Sequence, residues 1–169
     1  ITLLVIASLG GLGGFFISEM GQVYEKANYG NINSIPSLTT LARLRNGSKD
    51  YYISVLRHIQ NTDPARMAMI EGLISQTRQT SESALADYEK MLSDDTDRRM
   101  LGEDRSALAE LTRAVDELIP LSRANKNEEA RLLLREKGFP AQEKLSKLIN
   151  EHIDYNIKLA KTGADDAAA

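Results

Sequence analysis

Apolar residues recur three or four positions apart along most of this chain, and nowhere do they alternate with the period of two that a strand requires. From about Ser18 to Ile59 the spacing predicts one very long helix. Its stripe is Ile35, Leu38, Ala42, Tyr52, Leu56 and Ile59, widened by Leu41 and Val55. Pro36 and Gly47 interrupt it and predict a kink or a local loosening. Asn61-Thr62-Asp63-Pro64 is a firm break, with a capping side chain followed by a proline suited to the first turn. The second helix carries Ile70, Leu73, Thr77, Thr80, Ala84, Asp87/Tyr88 and Met91 at heptad spacing. Ser93 to Asp97 is a polar turn with capping side chains, and the third helix repeats the pattern through Leu101, Leu108, Leu111, Val115 and Leu118. After Pro120 and the turn Ala124-Asn125-Lys126-Asn127, the fourth segment opens at Glu128. It bends at Gly138-Phe139-Pro140 and continues with Leu145, Leu148, Ile149, His152, Tyr155 and Leu159. The expected fold is all-α: an antiparallel up-down-up-down four-helix bundle over residues 18–169.

Residues 1–17, ITLLVIASLGGLGGFFI, carry no charge, and the first charged residue is Glu19. A spanning helix needs about 20 apolar residues, so this stretch is expected to be part of a transmembrane helix. Its two Gly-Gly pairs suit close packing in a membrane. A cleaved signal peptide is the alternative, but no site of the small-residue type follows. From Ser18 to Asn61 is roughly 64 Å of helix at 1.5 Å per residue, and Asn127 to Ala169 is about as long. The fourth helix is therefore expected to return to the membrane level, ahead of a second span.

Composition narrows the function. Lys plus Arg is 21 against 24 for Asp plus Glu, a net charge of −3 over 169 residues, which argues against a nucleic-acid binder. The absence of cysteine excludes disulfides, thiolate metal sites and cysteine nucleophiles. A di-metal bundle needs Glu-x-x-His twice, yet Val55 precedes His58 and Ile149 precedes His152 at that spacing. The two histidines lie at different heights and cannot share a metal, and His152 reads as a hydrogen-bonded core residue. No phosphate loop, dinucleotide fingerprint or nucleophile elbow is present. The expectation is no catalysis, no metal and no cofactor.

What remains is a set of cations at the membrane-distal end: Arg57, His58, Arg66, Arg113, Arg123, Lys126, Arg131 and Arg135. Arginine suits bidentate carboxylate recognition, so a small anion is the specific expectation beside that of solvated side chains. Arg57 lies about 140° from Tyr52 around the helix, and matters only where that face meets a partner subunit. Arg131 and Arg135, one turn apart, can face one site. Arg45 and Lys49 fall within the stripe of the first helix, which implies a groove or subunit contact there and predicts self-association strengthened by ligand.

An apolar anchor, a long helix with an early proline and three returning helices together resemble the four-helix-bundle sensor domain of bacterial methyl-accepting chemotaxis receptors. The similarity rests on Asn33-Ser34-Ile35-Pro36-Ser37-Leu38, Asp87-Tyr88-Glu89-Lys90, and Asn127-Glu128-Glu129-Ala130-Arg131 through Phe139-Pro140, in that order and spacing. It implies a periplasmic domain anchored in the inner membrane and a homodimer formed through the first and fourth helices. It also implies a small-molecule ligand at the distal end, and signalling along the fourth helix to a cytoplasmic kinase through a coupling adaptor. Arg57 falls where the aspartate receptor of this family has one of its ligand arginines, while Ile53 and Ser48 stand at the other two positions. Phe139-Pro140-Ala141-Gln142 is similar to that receptor's Gln-Pro-Thr-Gln, with alanine in place of the ligand-contacting threonine. These departures speak against an α-amino acid. The several arginines nearby favour a small organic acid such as a di- or tricarboxylate, with an aromatic acid or a ligand delivered on a binding protein as alternatives. The expected ligand residues are Arg57, His58, Tyr52, Arg131, Arg135, Phe139 and Gln142. The alternatives are the sensory bundle of a membrane histidine kinase or cyclase, and a ligand-free assembly bundle.

Overall fold

The computed structural model describes residue 21 and residues 33–168, with side chains through residue 163. The expected membrane segment 1–17 and the start of the first helix at Ser18 lie outside the described residues. Among those described, no helix is long and apolar enough to cross a membrane.

Four rods form the bundle. They are α1 (Ile35–Gln60), α2 (Pro64–Tyr88), α3 (Asp95–Arg123), and a fourth made of α4 (Asn127–Leu133), a π-helical turn (Leu134–Gly138) and α5 (Phe139–Ala168). Each boundary has a local cause. Asp63 caps α2, its carboxylate accepting the Ala65 N–H at 3.0 Å, with Pro64 at the first helical position. Asp63→Ala is therefore expected to cost about 0.5–2 kcal/mol in urea unfolding followed by helical ellipticity. Before α3, Asp94 accepts the Asp97 N–H and Asp97 accepts the Ser93 N–H, both at 2.9 Å, so one short turn satisfies two helix-end donors. Asn125 takes a left-handed φ of 56°. The Lys126 N–H then reaches Leu121 O at 3.0 Å and the Asn125 N–H reaches Ser122 O at 2.9 Å, which closes α3.

The bend expected at Gly138-Phe139-Pro140 is a π-turn inside a continuous rod. The extra residue absorbs the hydrogen bond that Pro140 cannot donate. Gly47 lies inside the unbroken α1, where it is buried, and a Cβ there would sit 2.8 Å from Ser81 Oγ on α2. Its role is to let two helices approach closely.

Leu101, Leu108, Leu111, Val115 and Leu118 form the buried stripe of α3 as expected. In α1 the stripe is turned by one residue. The inward positions are Ser34, Ser37, Leu41, Leu44, Ser48, Tyr51, Val55 and His58, whereas Ile35 is 58% exposed and Arg45 and Lys49 face solvent. Tyr52 and Leu56 pack on the edge of the core, and Ile59 is buried as expected. Small residues win the inner face because α1 and α2 pack closely, and the serines bury at little expense. Ser48, Ser54 and Ser81 hydroxyls donate to carbonyls of the preceding turn, Arg45, Asp50 and Thr77, at 3.0, 2.8 and 3.1 Å. In α2, Met67, Ile74, Ser81, Ala84 and Tyr88 turn inward, while Leu73, expected inside, is 43% exposed.

Candidate functional site

At the distal end His58 is fully buried and ties three helices together. Its Nε2 donates to Glu71 Oε1 of α2 at 3.1 Å, and its Nδ1 is hydrogen-bonded to Ser122 Oγ of α3 at 2.8 Å. Arg123 grips both oxygens of Glu71 at 2.6 and 2.5 Å. Those bonds, more than the one from His58, hold the Glu71 carboxyl below the usual glutamate range against the effect of its partial burial. His58 is thus a structural tie between α1, α2 and α3, with both ring nitrogens engaged inside the bundle.

The distal cations divide by partner. Arg66 faces Asp63, Arg123 faces Glu71, Lys126 faces Glu129 and Arg131 faces Glu128. Among the described residues Arg57, Arg113 and Arg135 are exposed and have no carboxylate within ion-pair distance.

The expected site residues fall into two groups by helix face. Arg135, Phe139 and Gln142 each follow a buried residue of the fourth rod (Leu134, Gly138 and Ala141), just as Tyr52 follows Tyr51 in α1. The Glu143 charge acts on Tyr52, which sets that flank of α1 toward the fourth rod, in a seam between the two. There Tyr52 is half-buried, and burial, together with the nearby Glu143 charge, pushes its phenol above the ordinary tyrosine range. Phe139 is 47% exposed, and Gln142 Oε1 is buried without a hydrogen-bond partner among the described residues. Arg57 is on the opposite flank of α1, about 140° from Tyr52, and His58 points into the core. By helical position Tyr52, Arg135, Phe139 and Gln142 each fall one step out from the buried stripe of their rods, and Arg57 does not share that flank. Ile35, Leu38, Ala42, Tyr52 and Leu56 of the stripe read from the sequence lie one position out from the core, while its Leu41, Val55 and Ile59 are buried in the core as expected. A groove of about 410 Å³ lies elsewhere, between α2 and α3, lined by Arg78, Arg105, Thr112 and Arg113 among others.

A second buried polar cluster sits at the proximal end, and sequence reasoning reached only its histidine. His152 is fully buried between two fully buried aspartates, Nδ1 2.7 Å from Asp104 Oδ2 and Nε2 2.6 Å from Asp97 Oδ1. Tyr88 OH donates to Asp97 Oδ1 at 2.6 Å, and Asn156 Nδ2 donates to Tyr88 OH at 2.7 Å. Burial opposes the charge on His152, but the bonds to and charges of Asp104 and Asp97 outweigh it and raise the imidazole above its ordinary range. Burial also works against ionised Asp97, yet the donors His152, Tyr88 and the Ser93 N–H together hold its carboxyl low. Burial wins at Asp104 and raises it. A signal for both aspartates was present in the sequence: with Leu101, Leu108 and Leu111 they keep the spacing of four and three that defines the inner stripe of α3.

The family described as a four helix bundle sensory module for signal transduction matches residues 1–169, and the chain belongs to that family. No curated protein matches the chain. The resemblance read from the sequence therefore holds at the level of family and fold.

Proposed function

We propose, with membership of the sensory-module family as the premise, that this bundle is the extracytoplasmic ligand-binding domain of an inner-membrane chemoreceptor. It takes a small organic acid, a di- or tricarboxylate, at the distal end of a contact between two copies built from α1 and the fourth rod. The signal passes along the fourth rod to a cytoplasmic kinase complex through a coupling adaptor, and the role is sensory rather than catalytic. The observation that carries this reading is the pair Arg57 and Arg135, which like Arg113 are exposed guanidinium groups at the distal end without carboxylate partners among the described residues, where the neighbouring Arg66, Arg123 and Arg131 have them. A carboxylate ligand supplies what the two lack. In this reading Arg135, Tyr52, Phe139 and Gln142 contribute from one subunit, and Arg57 joins them only across the contact with a second copy. A bound acid that bridges copies must strengthen the dimer by linkage.

The test is calorimetric titration of the full chain in detergent with a panel of di- and tricarboxylates, paired with sedimentation. Arg57→Ala should weaken binding by about 2–5 kcal/mol where the pair is desolvated, Arg135→Ala should also weaken it, and Lys90→Ala at the other end should leave it unchanged. Equal binding by the Arg57 and Lys90 variants, or an identical monomer with and without saturating acid, would sink the proposed site.

A further inference from the structure

Among the described residues the proximal cluster is the most deeply buried set of titratable groups, and ligand recognition as proposed leaves it unused. Its hydrogen bonds join α3 and α2 to the lower half of α5. Asp97 and Asp104 come from α3, Tyr88 from α2, and His152 and Asn156 from α5. Beside it, Tyr155 OH donates to Asp94 Oδ2 at 2.5 Å, so α5 is tied to the start of α3 twice. On the first rod at this end, Asn33 just before α1 and Ser37 are neutral and bond to Met91 O and to each other, while the charged Arg43 pairs with Asp87 of α2. Glu103 adds a more distant negative charge that acts on Asp104. No cation but His152 faces the two aspartates within bonding distance among the described residues.

Geometry dictates the proton count. With Asp97 and Asp104 both ionised, the oxygens before the two ring nitrogens can only accept, so both nitrogens carry hydrogen and the ring is an imidazolium. Tyr88 stays protonated, since burial and Asp97 push its ionisation well above the ordinary tyrosine range, and it donates to Asp97. Two carboxylates and one imidazolium leave a buried excess of negative charge. Burial first, and the Glu103 and Asp97 charges after it, raise the Asp104 carboxyl, whose Oδ1 has no hydrogen-bond partner among the described residues. Removing the His152 proton would set a bare ring nitrogen against a carboxylate oxygen at 2.6 or 2.7 Å, lone pair facing lone pair. The ring cannot turn away from both, because each nitrogen has a carboxylate before it.

We infer that this cluster is a proton-held clasp on the fourth rod, so that rising pH frees the lower half of α5 from α3 and gives the protein a second input beside its ligand. As an input to signalling it rests on the sensor reading above, whereas the clasp itself stands on the cluster alone. Since the folded protein holds the His152 proton more tightly than the unfolded chain does, the contribution is complete below the ordinary imidazole range. It is lost as pH rises through the folded value.

Amide hydrogen exchange of the full chain in detergent, corrected for intrinsic rates, tests this from about pH 6 to about pH 9. Protection of α5 around His152 should fall about tenfold per pH unit, the slope that one released proton demands, and then level off. Amides in the middle of α1 and α2 should stay flat. In His152→Gln the slope should vanish, while Tyr155→Phe should lower protection and keep the slope. Because His152→Gln can fail to fold, ¹⁵N spectra of the wild-type ring give a second readout, with both nitrogens protonated near neutral pH. A neutral ring at that pH, a flat α5, or an equal slope in all four rods would overturn the clasp. Ligand titration is a separate measurement: a protein that binds no organic acid yet shows the slope keeps the clasp and loses the proposed site, and the reverse outcome does the opposite.

Discussion

His152→Ala is expected to destabilise the protein by about 3–5 kcal/mol, because removing one member of a buried ionic set strands the others. Asp97 and Asp104, each without solvent exposure, would be left facing a cavity with no cation to balance them. Asp104, already raised by burial, would take up a proton, and that relief is only partial, since Asp97 keeps its charge through the Tyr88 and Ser93 donors. The loss should be largest between two limits. His152 contributes stability that disappears as pH rises through its raised value, and Asp97 contributes stability that disappears as pH falls through its lowered one. Urea unfolding of the full chain in detergent at near-neutral, alkaline and acidic pH measures this. A loss under about 1 kcal/mol at neutral pH would mean that the ring is not charged between its aspartates.

The second large effect separates two neighbouring stripes on α1. Leu41→Ala should cost about 2–5 kcal/mol, since Leu41 has no exposed surface and its removal leaves a hole in a close-packed core. Ile35→Ala should change stability by less than about 0.5 kcal/mol, because that side chain is 58% exposed. The same urea unfolding compares them. Similar losses for both would place the core on the stripe that hydropathy alone selects. On the reading above, Ile35 belongs with Tyr52 on the seam, and its substitution should act on self-association instead.

Much of this was legible in the chain. The four rods, the breaks at Asn61–Pro64 and Ala124–Asn127, the caps and the inner face of α3 follow from periodicity, because each depends on residues within a turn or two of one another. His152 was legible as a hydrogen-bonded core residue because it keeps the spacing of its stripe. The family, too, could be read from the order and spacing of short segments. The inner face of α1 was legible only in part: Leu41, Val55 and Ile59 are buried as read, whereas its serines, Leu44, Tyr51 and His58 were not picked out. Hydropathy selects Ile35, Leu38 and Tyr52, while the close approach of α2 at Gly47 and Ser81 admits small residues instead, and serines that bond to their own backbone bury without a partner elsewhere. Nor could periodicity show that Asp97 and Asp104 close on His152 from two sides, or that Tyr52, Arg135, Phe139 and Gln142 each fall one step out from the buried stripe of their rods, a flank that Arg57 does not share. Sequence alone determined what is local: where helices start, stop and turn an apolar side inward. Tertiary structure decided which rod presses closest on which, and therefore which of two adjacent stripes is buried and which charges meet, since contacts between rods depend on shape and distance across the bundle.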